Sequence, residues 1–394
     1  MEKKRVVIVG GGAGGIILAN SLNQRDFDVI ILDKSDTQVF QPAFLYAAFM
    51  GKKVPTKKTS NLIKKGVKLK LDPVKRVDLT NKKVFTEGGE YAYDYVVIST
   101  GTMSDTSSIP GLKETDDKYG DYHTNIENAQ RVWKNLNSFN GGTIALGQAS
   151  PICKCPPSPI EGILLTEMLI SKRKLKDKTK LVFFTPYPRA YSAEPMNGVV
   201  EPILKERGIQ IMTFFDLDHI DTKTNTLYSL EGDQIKFDLL IIVPSFKGVN
   251  IEYEPNTVLD EDRFIKTDKL NMKIQGFDDA FAIGDATNIP TSKAGVGAHL
   301  EAKIVAKILQ GKEDKFDGRT NCPFDLGYGK GTFVIGSYDQ PVVPYPPSRL
   351  NHFEKMMMER IYWSSLKGTF DFMFNLYFSH TNPAKLNKKF SKKG

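Results

Sequence analysis

The sequence predicts an α/β protein of two doubly wound domains, the second inserted in the first, followed by a C-terminal amphipathic helical segment. Three observations carry this. Short apolar runs alternate with helix-period segments, the pattern of parallel strands joined by crossover helices. The first such unit closes as strand–turn–helix–strand within about 30 residues, the size of a mononucleotide-binding half. The last stretch abandons the alternation and turns aromatic and basic.

Taken in order, Val6–Val9 is a strand, Gly10–Gly15 a glycine turn, Ile16–Leu22 a helix, and Asp28–Asp33 a strand ending in an acid. Asp94–Gly101 is a buried-type strand running into a turn. Residues 142–147 and 180–185 open a second set of strands, with a helix over 160–175 between them. Asp238–Pro244 is another core strand, Phe281–Ala286 a strand entering a turn, and residues 294–309 a helix that begins in small side chains. The expected divisions are 1–114 and 246–334 for the split first domain, 115–245 for the inserted one, and 335–394 for the C-terminal segment.

A chain of 394 residues, 40% hydrophobic and 25% charged, buries a sizeable core and is neither disordered nor fibrous in composition. Its net charge is +8, and residues 351–394 alone carry eight basic and three acidic side chains. The basicity is therefore expected to be terminal, which argues against a nucleic-acid groove. Met1–Arg5 runs straight into a strand without an export signal, and no run approaches about 18 apolar residues, so neither export nor a spanning helix is expected. Three cysteines, Cys153, Cys155 and Cys322, argue for free or catalytic thiols over a disulfide framework.

Gly10-x-Gly12-x-x-Gly15 sits between a strand and a helix, with Asp33 ending the next strand. Such glycines let backbone N–H groups approach a pyrophosphate at the positive helix end, and the acid accepts from ribose hydroxyls. Thr100-Gly101 closes a later strand, and Gly284-Asp285 follows Phe281-Ala-Ile. These three fragments, in this order, resemble the two-dinucleotide-binding-domain flavoprotein superfamily of disulfide reductases and type II NADH dehydrogenases. The resemblance implies two Rossmann-like domains of the FAD/NAD type and FAD as cofactor. Its cradle would be Gly10, Gly12, Ala13, Gly14, Gly15, Asp33, Lys34, Thr100, Gly101, Gly284, Asp285 and Lys293, with Val74 a backbone contact to adenine.

The second domain lacks a matching glycine triplet. It reads Leu146-Gly-Gln-Ala-Ser-Pro-Ile-Cys-Lys-Cys-Pro-Pro157, where prolines take the helix start and remove donors, so NAD(P)H is not expected as the donor. Cys153-x-Cys155 has only one other Cys and five scattered His to draw on, so no metal site is expected. Buried inert thiols are the plainer alternative. Against it, Cys155 and Cys322 read as members of proline-rich turns, with Lys154 or a following helix N-terminus expected to favour the nucleophilic thiolate.

Lys154-Cys155-Pro-Pro-Ser-Pro-Ile-Glu161, Asn321-Cys322-Pro-Phe-Asp-Leu-Gly-Tyr-Gly329 and Thr291-Ser-Lys-Ala-Gly-Val-Gly-Ala298 narrow the resemblance to sulfide:quinone oxidoreductases, over nearly the whole chain. In that family two cysteines flank the flavin, pass persulfide sulfur between them and deliver electrons to FAD. The resemblance implies those roles for Cys155 and Cys322, hydrogen sulfide as substrate and a membrane quinone as acceptor. Where many members carry a third functional cysteine this chain reads Tyr122-His-Thr-Asn125, so it is similar to the two-cysteine branch, with the role of Cys153 open. Lys293 is a candidate for stabilising the reduced ring or a quinone oxygen, against a plain surface lysine. Phe353 is a quinone contact by similarity. Glu161 and His123 are candidates for moving protons, against structural or capping roles.

Aromatic and methionine side chains crowd residues 353–378, broken by Gly368 and followed by a lysine tail. This reads as short interfacial helices on an anionic lipid surface, at the cytoplasmic face of a membrane, against a homo-oligomer interface or a lid. The rival functions are a type II NADH dehydrogenase, the flavoprotein subunit of a flavocytochrome sulfide dehydrogenase, and a non-catalytic FAD-binding redox sensor.

Overall fold

The computed structural model describes residues 2–369, 379 and 381–390. Along the chain run β1 (Lys4–Val9), α1 (Ala13–Ser21), β2 (Phe27–Asp33), β3 (Thr37–Val39), α2 (Ala43–Met50), β4 (Thr56–Lys58), β5 (Lys68–Leu71) and β6 (Tyr95–Ile98). The second layer begins at β7 (Gly142–Gln148), followed by α3 (Ser158–Lys172), β8 (Thr179–Phe184), β9 (Gln210–Met212) and β10 (Leu239–Val243). The chain then returns through β11 (Ala280–Ala282) and α4 (Gly295–Leu309). It ends in β12 (Thr320–Asp325), β13 (Gly331–Ser337), β14 (Gln340–Pro344), α5 (Arg349–Leu366) and α6 (Pro383–Phe390).

Two all-parallel sheets result, with strand orders β11-β6-β1-β2-β5 and β9-β8-β7-β10. Their central strands are apolar on both faces because both faces are covered: in the first sheet Val6 and Ile8 pack among helices, while Val7 and Val9 pack against Val77, Val84 and Tyr253 of a small separate sheet. Thr102–Asp105 and Ser245–Gly248, which lead into and out of the second sheet, pair antiparallel to each other. The inserted unit is thus tied at its neck.

The loop after β1 is shaped by two glycines. Gly10 sits at φ +103°, and a Cβ on Gly15 would stand 2.1 Å from the carbonyl oxygen of Gly10, so α1 could not pack this close to β1 with any side chain there. Gly12 caps α1 in extended geometry without a side-chain bond, which leaves the first amides of the helix facing outward.

Three expectations need correction. Cys322 lies in a strand, β12, and not in a turn: it pairs with Val334 across an antiparallel β12–β13–β14 sheet, and Pro323 follows within the strand. The boundary at 335 therefore cuts through β13, and the C-terminal unit begins by residue 320. The aromatic stretch 353–366 belongs to one continuous helix, α5, packed on β12 and β13. The aromatics from 370 to 378 lie outside the described residues.

Candidate functional site

The carboxyl ends of both sheets, the start of α1, β12 and α5 enclose one cavity of about 490 Å³, in the range of cofactor and ligand sites. One end is the glycine turn. The amide of Gly11 donates to Asp33 Oδ2, Thr100 and Gly101 close the adjacent loop, and Gly284-Asp285 enters from β11. A Cβ on Gly12 or Gly101 would meet nothing within 4 Å, so open space lies over both. Uncapped helix amides, an acid held at a strand end and open glycines together suit the pyrophosphate and ribose of a dinucleotide. Gly10, Gly12, Ala13, Gly14, Asp33, Thr100, Gly101, Gly284, Asp285 and Lys293 line this cavity; Gly15 lies beneath it, packed on Gly10. Lys34 and Val74 do not line it: Lys34 is exposed, and Val74 opens a strand of a separate mixed sheet.

Lys293 is not a surface lysine. Its ammonium donates to the carbonyls of Asp285 and Thr287 at 2.9 and 2.8 Å and lies 3.8 Å from the ring centroid of Phe264. Burial lowers its affinity for a proton. The side chain clamps the Gly284-Asp285 turn. Below that turn lies Glu301, whose carboxylate accepts from the amide of Gly284. Burial first, and Asp285 next among the charges, push its pKa up to about 7. Nothing in the motif reading singled it out, although an acid on the small-residue face of α4 is the kind of signal that could have.

This yields a stability prediction. A carboxyl raised in the folded state from 4.5 favours the protonated form, so its contribution is whole below about pH 4.5 and is lost as pH rises towards 7. Glu301→Gln keeps the acceptor without the charge. The variant is expected to gain about 3 kcal/mol over the parent near pH 8 and nothing near pH 4, read by chemical denaturation at both values. Equal gains at both pH values would reject the assignment.

Cys155 and Cys322 both line the cavity, and a charge on Cys322 would oppose one on Cys155. Cys155 stands at φ +52°, a conformation glycine would adopt at no cost, and its amide donates to the Lys293 carbonyl at 3.0 Å. Backbone therefore ties the thiol directly to the Gly284-Asp285 clamp. Cys153 is buried behind it with its thiol on the Lys154 carbonyl, outside the cavity lining, and burial pushes its pKa up to about 12. Cys155 and Cys322 are likewise raised by burial.

The cation that opposes this is not Lys154, whose ammonium lies over Phe246. It is Lys355, from α5, which lowers both cavity thiols. Lys355 is 8% exposed and ion-paired with Glu161, itself 2% exposed. Burial still raises Glu161 above the usual carboxylate range, Lys355 acting against it. Glu161 also accepts from the amide of Asp325, Tyr46 donates to Asp325 Oδ2 at 3.0 Å, and His352 Nδ1 lies 3.6 Å from Asp325 Oδ1. Tyr46 and Lys355 escaped the motif reading. One sits in a nearly all-apolar helix, and the other was counted among the tail charges.

His123 lines the cavity as a neutral ring. Its Nε2 meets Ser158 Oγ at 2.8 Å, while the hydroxyl of Tyr122 donates to the Ser158 carbonyl, so the pair seats the start of α3. Burial lowers its pKa to about 3, which suits a structural bond and not proton transfer near neutrality. Phe353 is 60% exposed on the outer face of α5 and does not reach the cavity; Met358, Tyr362 and Ser365 do. The outward placement follows from helix geometry, since position 353 lies opposite the 351, 355, 358, 362 stripe.

The pyridine nucleotide-disulphide oxidoreductase family profile matches residues 4–302 of the chain. A mitochondrial sulfide:quinone oxidoreductase of Dictyostelium discoideum is 26% identical over 389 residues, covering 92% of this chain and 86% of that one. The solved sulfide:quinone oxidoreductase of Aquifex aeolicus superposes with a TM-score of 0.82 at 21% identity, over 95% of both chains. NDH2 of Plasmodium falciparum, solved with NADH, superposes with a TM-score of 0.71 at 14% identity, over 97% of this chain and 99% of that one.

Proposed function

Because the chain belongs to the pyridine nucleotide-disulphide oxidoreductase family, we propose that it is an FAD-dependent enzyme that oxidises hydrogen sulfide and passes the electrons to a membrane quinone. The observation that carries this reading is one cavity lined both by a dinucleotide cradle and by two thiols that feel a buried lysine. The similarity to sulfide:quinone oxidoreductases over almost the full chain supports the same reading.

FAD, when bound, supplies a two-electron acceptor. Everything else falls to side chains. Hydrosulfide attacks one sulfur of the Cys155–Cys322 pair in its disulfide or sulfur-bridged form; that bond breaks, one cysteine keeps the incoming sulfur as a persulfide, and the other leaves as a thiolate. Burial alone would disfavour that thiolate, and the ammonium of Lys355 opposes the penalty. Glu161 lines the same cavity and takes up the proton that hydrosulfide brings. Tyr46, Asp325 and the partly exposed His352 continue from it as a line of polar groups towards the surface. Lys293 and Glu301 hold the Gly284-Asp285 turn. No helix among the described residues is long and apolar enough to cross a membrane.

The likeness to an NADH-bound NDH2 keeps a second reading, NADH:quinone oxidoreduction, in view. The start of α3 weighs against it. Pro157 caps that helix and Pro159 follows in its first turn, so two amides that would hold a second pyrophosphate do not exist. One experiment separates the two. Anaerobic mixing of the flavin-loaded protein with sulfide is expected to bleach the flavin within seconds, and mixing with NADH to leave it oxidised over the same period. Bleaching by NADH and not by sulfide would replace the proposal with its rival.

A further inference from the structure

β12 brings Thr320 and Cys322 to one face of the strand, since side chains two residues apart point the same way. Across the ladder Cys322 stands opposite Val334 and Thr320 opposite Gly336, so no side chain of β13 faces the threonine directly. The Thr320 hydroxyl lies 3.5 Å from the Cys322 sulfur, a hydrogen bond to an atom of that size. It makes no other hydrogen bond among the described residues.

The two cavity thiols are therefore unlike. Burial raises both, and both feel Glu161 and Lys355 with opposite signs. Cys155 has no side-chain donor among the described residues and also feels the charges of Cys322 and Cys153. At Cys322 the threonine hydroxyl is the largest influence opposed to burial, ahead of the lysine. A neutral thiol can donate to the hydroxyl oxygen, whereas a thiolate only accepts, and the hydroxyl hydrogen turns to meet it. Bonds to a charged acceptor are the stronger kind, so the contact favours the anion. Lys355 acts on both sulfurs; the hydroxyl touches one.

We propose that Thr320 is a positioning residue of the thiol pair, whose hydroxyl holds the Cys322 sulfur in place and donates to it once it is a thiolate. In the reduced pair Cys322 then ionises first and Cys155 keeps its proton. This rests on the reading above that Cys155 and Cys322 are the reacting sulfurs.

The test is the pH dependence of alkylation in the flavin-loaded full chain, reduced anaerobically with a phosphine. Iodoacetamide is the probe, and peptide mass spectrometry reads the two cysteines separately. In the parent, the midpoint for Cys322 is expected below that for Cys155. Thr320→Val keeps the branched side chain that suits a strand and removes only the hydroxyl. It is expected to slow Cys322 about tenfold at pH values below the midpoint, a shift of about one pH unit, and to leave Cys155 within about twofold. Thr320→Ser returns the hydroxyl and is expected to restore the parental midpoint. An unshifted Cys322 in Thr320→Val would overturn the proposal, as would equal slowing of both cysteines, which a general change in the cavity would produce. Should the valine variant fail to fold, the parent decides alone: a midpoint for Cys155 below that for Cys322 rejects the assignment. Sulfide bleaching of the same preparations keeps the two readings apart. If alkylation behaves as expected but sulfide does not bleach the parent, the hydrogen bond stands and the substrate is wrong. Bleaching of the parent without a shift at Cys322 in the variant removes Thr320 alone.

Discussion

Changing either Cys155 or Cys322 to serine is expected to abolish bleaching of the flavin by sulfide, with a rate loss of at least about 1,000-fold, or about 4 kcal/mol of barrier. A serine hydroxyl neither accepts sulfane sulfur nor ionises in this setting, so the remaining thiol has no partner to exchange with. The two losses are not expected to add, because the sulfurs act as a unit and removing one disables both. Flavin content should be unchanged in each variant, since exchanging sulfur for oxygen leaves the backbone bond from Cys155 to Lys293, the glycine turn and Asp33 as they are. Stopped-flow absorbance of matched, flavin-saturated samples makes the measurement. Parental bleaching in either variant would remove the thiol pair from the mechanism while leaving the cofactor site intact. Cys153→Ser, by contrast, changes a thiol outside the cavity lining and is expected to be mild.

Removing the ammonium of Lys355 should have the second largest effect, and on two quantities at once. Lys355→Met leaves Glu161 buried without its partner, which is expected to cost about 3–5 kcal/mol of stability. It also takes away the cation that opposes the burial of both thiols, so their pKa values rise further and the bleaching rate falls at every pH below them. The double variant Glu161→Gln/Lys355→Met tells these apart. With no unpaired charge left, its denaturation midpoint should return close to the parent, while its bleaching stays slow. Recovery of both together would reduce the pair to a structural bridge and take the thiolate argument with it.

How much of this could be read from residues alone differs by element. The glycine turn, Asp33 and Gly284-Asp285 were legible because each acts through backbone geometry set within a few neighbours: a positive φ at Gly10, a helix without a side-chain cap, an acid closing a strand. Cys322 was misplaced in a turn because Asn-Cys-Pro-Phe carries a strong local breaker, whereas pairing with β13 sets the actual conformation. Lys154 was named, beside a helix N-terminus, as what favours the thiolate because it is adjacent in sequence; its ammonium instead finds the ring of Phe246. Phe353 followed the same pattern. Its aromatic character was plain, but which side of α5 it takes depends on what the helix packs against.

The order of residues by itself determined the α/β class and the glycine turns with the acid that closes β2, since period, turn glycines and composition act over short stretches of chain. Tertiary structure alone decided that Cys155 and Cys322 line one cavity, that Lys355 pairs with Glu161 there, and that Lys57 of β4 meets Trp363 of a helix at the other end of the chain. Those are pairings between side chains far apart in sequence, and local propensity carries no information about which distant groups burial will force into contact.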